Sequence, residues 1–165
     1  MSVASGDTLV PEQGRDGTII AVLGVLAGNE AYGVPLSSVR EILVPPPLTE
    51  VPRADEYLLG VISVRGDIIT VVDLPKLLQL EVAQPEPYGR VLLVDNGQEL
   101  IGVAVDSVIQ VYRLEPHQIE YATAMGTDLS DYVVGVGRVG REGSSDDAND
   151  MLILIDPVAL LGGRT

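Results

Sequence analysis

Apolar residues run along this chain in short stretches separated by Gly, Asp, Asn and Pro. Thr18–Leu26 is a β-branched apolar run that ends in the polar turn Ala27-Gly28-Asn29-Glu30, and Tyr32–Leu36 returns from it, which predicts a hairpin. Val39–Val44 predicts a third strand or a short bent segment. Pro45-Pro46-Pro47 then marks a loop, because proline has no N–H to give a ladder. Tyr57–Val64 and Ile68–Val72 flank the tight turn Arg65-Gly66-Asp67, and a short helix is predicted from Asp73 to Leu80. The order then comes round again. Val91–Val94 is followed by a turn at Asp95-Asn96-Gly97, then Leu100–Val105, Val108–Leu114, Tyr132–Val139, Met151–Ile155 and a short helix from Pro157. Short strands at this spacing predict a mainly β protein made of small barrels.

The recurrence extends to individual residues. Val22-Leu23, Val25, Gly28, Glu30, Gly33-Val34 and Ser38-Val39 reappear 69 positions later as Val91-Leu92, Val94, Gly97, Glu99, Gly102-Val103 and Ser107-Val108. Gly60-Val61 and Val64 reappear at offset 75 as Gly135-Val136 and Val139. Asp73 and Leu77-Leu78 reappear at offset 83 as Asp156 and Leu160-Leu161. The last increase of 8 is the length of Gly143–Asp150, a polar, acidic stretch that reads as a loop insertion. Two copies are too few for a solenoid and predict two similar β lobes packed together. They occupy residues 18–165, behind a flexible N-terminal tail at 1–17.

Composition narrows the function. Hydrophobic residues make up 46% of 165, enough for a core, and with no Phe or Trp that core must be Val, Leu and Ile. A net charge of −14 argues against nucleic acid, since phosphate binding needs Lys and Arg, and against anionic membrane surfaces. Cysteine is absent, so disulfides, thiolate metal sites and cysteine nucleophiles are excluded, and a reducing cytoplasm is permitted. Neither a signal peptide nor a membrane-spanning run is readable.

Several patterns suggest chemistry. Gly135-Val-Gly137-Arg-Val-Gly140 matches GxGxxG, but Glu142-Gly-Ser-Ser-Asp-Asp follows it where a pyrophosphate site needs a helix, so a glycine-bearing strand is the better reading. Asp73 and Asp156 occupy matching places and suggest an acid–base dyad. Each also precedes a Pro-containing apolar stretch, and helix caps explain them better. Arg65-Gly66-Asp67 reads as a turn rather than an adhesion tripeptide. His117 is the single histidine, in a polar stretch, and supports neither a metal site nor a catalytic triad. Asp146, Asp147 and Asp150 lack the Gly and terminal Glu of an EF-hand loop. No catalytic constellation, metal site or cofactor site emerges.

Tyr32-Gly33-Val34, Val39-Arg-Glu41-Ile42 and the string Tyr57-Leu-Leu-Gly60-Val61-Ile62-Ser63-Val64-Arg65-Gly66-Asp67-Ile68-Ile69, ending in Val72-Asp73-Leu74, closely resemble the CheW family of chemotaxis coupling proteins. The resemblance runs from about Thr18 to Leu161. Ser63 and Thr70 stand where the family often has Asn and Pro. The resemblance implies two SH3-like five-stranded β-barrels around a shared hydrophobic centre and no enzymatic activity. It implies two partners, the cytoplasmic hairpin tip of a methyl-accepting chemoreceptor and the regulatory domain of the histidine kinase CheA, with the chain in the cytoplasm at the receptor array. It places Val39, Glu41, Gly60 and Arg65 at the receptor groove, with Glu41 and Arg65 as an acid–base pair. Leu43, Val44 and Pro45, with the loop to Pro52, are expected at the kinase. A coupling protein of a type IV pilus or another chemosensory-like pathway is the alternative, and an aspartate-based hydrolase using Asp73 and Asp156 is a remote one.

Overall fold

The computed structural model describes residues 18–78, 88–122, 132–139 and 151–162. Its strands are β1 (Ile20–Ala27), β2 (Glu30–Pro35), β3 (Val39–Leu43), β4 (Leu58–Val64), β5 (Asp67–Asp73), β6 (Arg90–Asp95), β7 (Leu100–Val105), β8 (Ser107–Leu114), β9 (Ile119–Tyr121), β10 (Val133–Arg138) and β11 (Met151–Ile155). Two short helices, α1 (Leu74–Leu77) and α2 (Pro157–Leu161), follow β5 and β11. The strands form two sheets, in the orders β8-β1-β2-β11-β10-β9 and β3-β6-β7-β5-β4. The expected tail at 1–17 and the insertion at 143–150 lie outside the described residues.

Neither sheet comes from one repeat. The first joins β1 and β2 of copy one to β8, β10 and β11 of copy two, and the second joins β6 and β7 of copy two to β3, β4 and β5 of copy one. The chain changes sheet at the 3₁₀ turn Leu36–Ser38 and again at Asp106. The register carries the same symmetry. Gly33 stands beside Leu154 in the parallel β2–β11 pair, and Gly102 stands beside Val71 in the parallel β5–β7 pair. Val39 pairs with Val94, while Val108 pairs with Val25. The N–H of Asp73 donates to Tyr57 O at 2.7 Å, and that of Asp156 to Tyr132 O at 2.8 Å. The expected equivalences of Gly33 with Gly102 and of Val39 with Val108 are therefore present.

This exchange explains the continuous apolar runs. Leu23, Val25, Val34, Leu92, Val94 and Val103 enter a shared central core together with Leu74, Leu77, Leu160 and Leu161 of the helices. The alternate residues point the other way, with Val22 and Leu154 filling one barrel and Val91 and Val71 the other. Strands buried on both faces lose the apolar–polar alternation of a half-exposed sheet. Gly33 and Gly102 let the barrels close tightly. A Cβ on Gly33 would lie 2.8 Å from Leu154 Cδ2, and one on Gly102 would lie 3.0 Å from Val71 Cγ2.

One strand was not expected from the sequence. β9 follows the 3₁₀ turn Pro116–Gln118 and pairs with β10. Gln118 fixes that corner. Its Oε1 accepts the Glu115 N–H at 2.8 Å, and its Nε2 donates to Arg138 O at 3.0 Å. His117 on this turn is exposed.

Leu23 and Leu92 occupy matching, fully enclosed places in the shared core. Leu23→Ala and Leu92→Ala are expected to lower unfolding free energy by similar amounts, about 2–5 kcal/mol each. Urea denaturation measures both; a large inequality between them would count against the symmetric core.

Candidate functional site

The four residues expected at the receptor groove lie along the edges of the second sheet. β3 and β4 are its outermost strands, on opposite sides. The sheet curls until the loop after β3 reaches β4. Thr49, in the loop after β3, exchanges backbone hydrogen bonds with Val61 of β4 at 2.9 and 2.8 Å. Across the same seam Arg65 Nη2 donates to Glu41 Oε1 at 2.5 Å, and Nη1 donates to Oε2 at 3.3 Å. The two-pronged contact matches the planar guanidinium to the carboxylate.

Local backbone geometry aims both groups. Arg65 and Gly66 form the two-residue turn of the β4–β5 hairpin, with φ of 49° and 89°. Two successive positive φ values suit the twist of a hairpin, and Gly66 takes its value without strain. Arg65 takes it as a non-glycine residue, which commits the side chain at the hairpin tip. On β3 a bulge separates Val39, opposite Val94, from Glu41, opposite Leu93. Val94 belongs to the shared core and Leu93 to the barrel interior, so the bulge sends Val39 and Glu41 to different faces.

Gly60 has a third role. It is buried, has φ of +153°, and follows a bulge opposite β5. A Cβ there would meet the Thr49 carbonyl oxygen at 2.2 Å. Gly60 thus permits the Thr49–Val61 seam. The structure therefore joins Glu41 with Arg65, places Gly60 in the seam that supports them, and turns Val39 toward the centre.

Leu43 packs on the barrel interior and Pro45 is half-buried, whereas Val44 is 73% exposed. Two further exposed apolar residues escaped the sequence reading. Ile42 is 43% exposed beside Val44's strand end, and Ile68 is 71% exposed three residues after Arg65. Apolar character alone does not mark exposure. A bulge has no fixed residue signature, so the sequence could not show that β3 turns Ile42 outward.

The hydrolase reading does not fit the carboxylates. Asp73 ends β5 in one sheet and Asp156 follows β11 of the other. Asp156 Oδ1 accepts the Val158 N–H at 3.0 Å, as a helix cap. Burial pushes the Asp73 carboxyl above its ordinary value, with the Asp106 carboxylate adding to the rise and Lys76 opposing it. The charges that act on it are therefore those of Lys76 and Asp106. Gly135 and Gly137, the first glycines of the GxGxxG match, sit in β10 rather than before a helix. Among the described residues no cluster of metal-ligating side chains occurs. No helix among them is long and apolar enough to cross a membrane.

Residues 21–164 match the family model of the CheW-like domain. The chain belongs to the CheW-like family. It is 30% identical over 138 residues to the chemotaxis protein CheW of Klebsiella aerogenes, covering 83% of this chain and 78% of that protein. It is 29% identical over 109 residues to the protein FrzA of Myxococcus xanthus, covering 66% and 68%. The crystal structure of the scaffolding protein TtCheW from Thermoanaerobacter tengcongensis superposes with a TM-score of 0.69 at 25% identity, over 84% of this chain and 89% of that one.

The hydrogen bond from Arg65 holds the Glu41 carboxyl below its ordinary value. The contribution of this pair to folding is fully present above the unfolded-state pKa and fades as pH falls through the lower folded value. An NMR titration of the Glu41 carboxyl carbon is expected to show its midpoint rising in Arg65→Gln; an unchanged midpoint would show that the pair does not hold in solution. Separately, Gly60→Ala is expected to open the seam, with a stability loss of at least about 2 kcal/mol and faster exchange of the Thr49 and Val61 amides.

Proposed function

We propose that this chain is a non-catalytic coupling protein that holds a methyl-accepting chemoreceptor's cytoplasmic hairpin tip against the regulatory domain of the histidine kinase CheA. The reading is supported by family membership together with one observation. The ion-paired seam of Glu41 and Arg65 ties the β4–β5 tip to β3. Val39, Glu41, Gly60 and Arg65 serve the receptor groove in this reading. Glu41 and Arg65 set its shape, Gly60 allows the seam to close, and Val39 borders the central core. Amphipathic helices dock through an apolar stripe, so a receptor hairpin is a suitable occupant of a groove between two barrels.

Leu43, Val44 and Pro45 serve the kinase. Val44 supplies the contact, because Leu43 is engaged in the barrel core and Pro45 is half-covered. A barrel of the same kind in the kinase would meet this end of β3. The protein acts in the cytoplasm at the receptor array through these two partners. A second reading keeps the adaptor and changes the circuit, to type IV pili or another chemosensory-like pathway. The likeness to FrzA, which carries a different name within the family, keeps that reading in view.

Arg65→Glu sets like charges together at the seam, and the Val/Leu/Ile core does not depend on the pair. The variant is expected to fold, to lose receptor-hairpin binding about tenfold or more and to retain kinase binding, since interface residues that fix geometry cost most when reversed. Receptor pulldown and receptor-dependent kinase assays measure this; normal receptor-dependent activation at wild-type protein levels would sink the assignment. Glu41→Arg combined with Arg65→Glu restores part of the binding if the pairing itself matters. Val44→Lys is expected to show the reverse pattern, with kinase binding weakened about tenfold and receptor binding kept.

A further inference from the structure

The two halves also differ beside the shared core. A cleft of about 240 Å³ opens beside the shared core, lined by the aliphatic Leu58, Val72, Ile101 and Leu161, by Tyr57 and Thr70, and by the carboxylates Asp55 and Glu99. The matching place in the other half is filled. Tyr32 stands there for Ile101, and Ile153, its neighbour across the parallel pair, stands for Thr70. Tyr32 is 4% exposed. Its hydroxyl lies within electrostatic reach of Glu30 and Tyr132, the counterparts of Glu99 and Tyr57. Burial, then Glu30 and Tyr132, push its pKa up to about 12. One half therefore seals this site with its own large side chain bearing a polar tip beside a glutamate, and the other leaves it open.

The open cleft has a definite chemistry. Its volume lies below the roughly 300–1,000 Å³ of small-molecule pockets, and suits one long side chain. Its lining is largely aliphatic, with two carboxylates. Neither Asp55 nor Glu99 joins an ion pair among the described residues. In a chain of net charge −14, the complementary occupant is a cation on an apolar stem.

We propose that this cleft receives a lysine or arginine side chain of a partner protein, its stem on Leu58, Val72, Ile101 and Leu161 and its charged head between Asp55 and Glu99. The site anchors a partner segment, as buried long side chains do at the centres of interfaces. The inference stands on the cleft and its filled counterpart, and holds whichever circuit the chain serves.

The test is an NMR titration of the full chain with N-acetyl-lysine amide and N-acetyl-arginine amide, against N-acetyl-norleucine amide and N-acetyl-tyrosine amide. Saturable shifts at Thr70, Ile101 and Leu161 are expected with the cationic probes only. Asp55→Asn with Glu99→Gln is expected to weaken their binding about fivefold. Thr70→Ile with Ile101→Tyr, which copies the residues of the sealed half, is expected to abolish it while keeping the fold, and the charge-removing variant keeps the test open if that pair unfolds. Equal or stronger binding of norleucine or tyrosine amide, or no localised shifts, overturns the proposal. So does a rise of tenfold or more in probe affinity in Arg164→Gln, because the cleft would then belong to the chain's own C-terminal arginine.

Discussion

The two-sided burial of β1, β2, β6 and β7 is the constraint on which the rest of this molecule depends. These strands give one set of side chains to a barrel and the other to a core shared by both halves. The arrangement requires the central positions along them to be apolar, which Val, Leu and Ile largely satisfy, while charged residues such as Glu30, Arg90 and Asp95 fall at strand ends. It also requires the first hairpin of each repeat to lie in the sheet built mainly from the other. The repeats cannot then behave as separable domains, and the lobes hold a fixed relation to each other. Under the proposed function two partners meet separate surfaces, and relative motion between those surfaces would uncouple them.

At the edge of the second barrel a smaller set of contacts does the positioning. A backbone bridge from Thr49 to Val61, a glycine that makes room for it, and an exposed ion pair between Glu41 and Arg65 close the seam. The pair is largely solvated, and exposed salt bridges contribute little to stability. Its consequence is geometric, since it ties the tip of one hairpin to an edge strand on the opposite side of the sheet. The mechanical work of closure falls on backbone hydrogen bonds and on Gly60.

The duplication, the two-barrel architecture and most strands were legible in the residues. Offsets of whole motifs survive divergence, and paired turn residues such as Gly28-Asn29 and Arg65-Gly66 mark hairpins. The exchange of hairpins between sheets was less legible, because it is a matter of long-range pairing that no local pattern encodes. β9 was missed because Ile119-Glu120-Tyr121 is too short to show a period. The Glu41–Arg65 pair came only through family resemblance, as two charges 24 residues apart carry no local signal. The bulge at β3, which separates Val39 from Glu41, and the outward turn of Ile42 were invisible for the same physical reason. The contrast between Tyr32 and Ile101 at matching places was not legible either, because side-chain size at one position shows a cleft only in the packed fold.

Rigid coupling makes the sharpest demand when both partners are present together. Analytical ultracentrifugation of the full chain mixed with the kinase regulatory domain and a soluble receptor hairpin tests it directly. A single ternary species is expected, with each partner's affinity unreduced by the other. Mutually exclusive binding, in which the receptor hairpin displaces the kinase domain, would contradict the account.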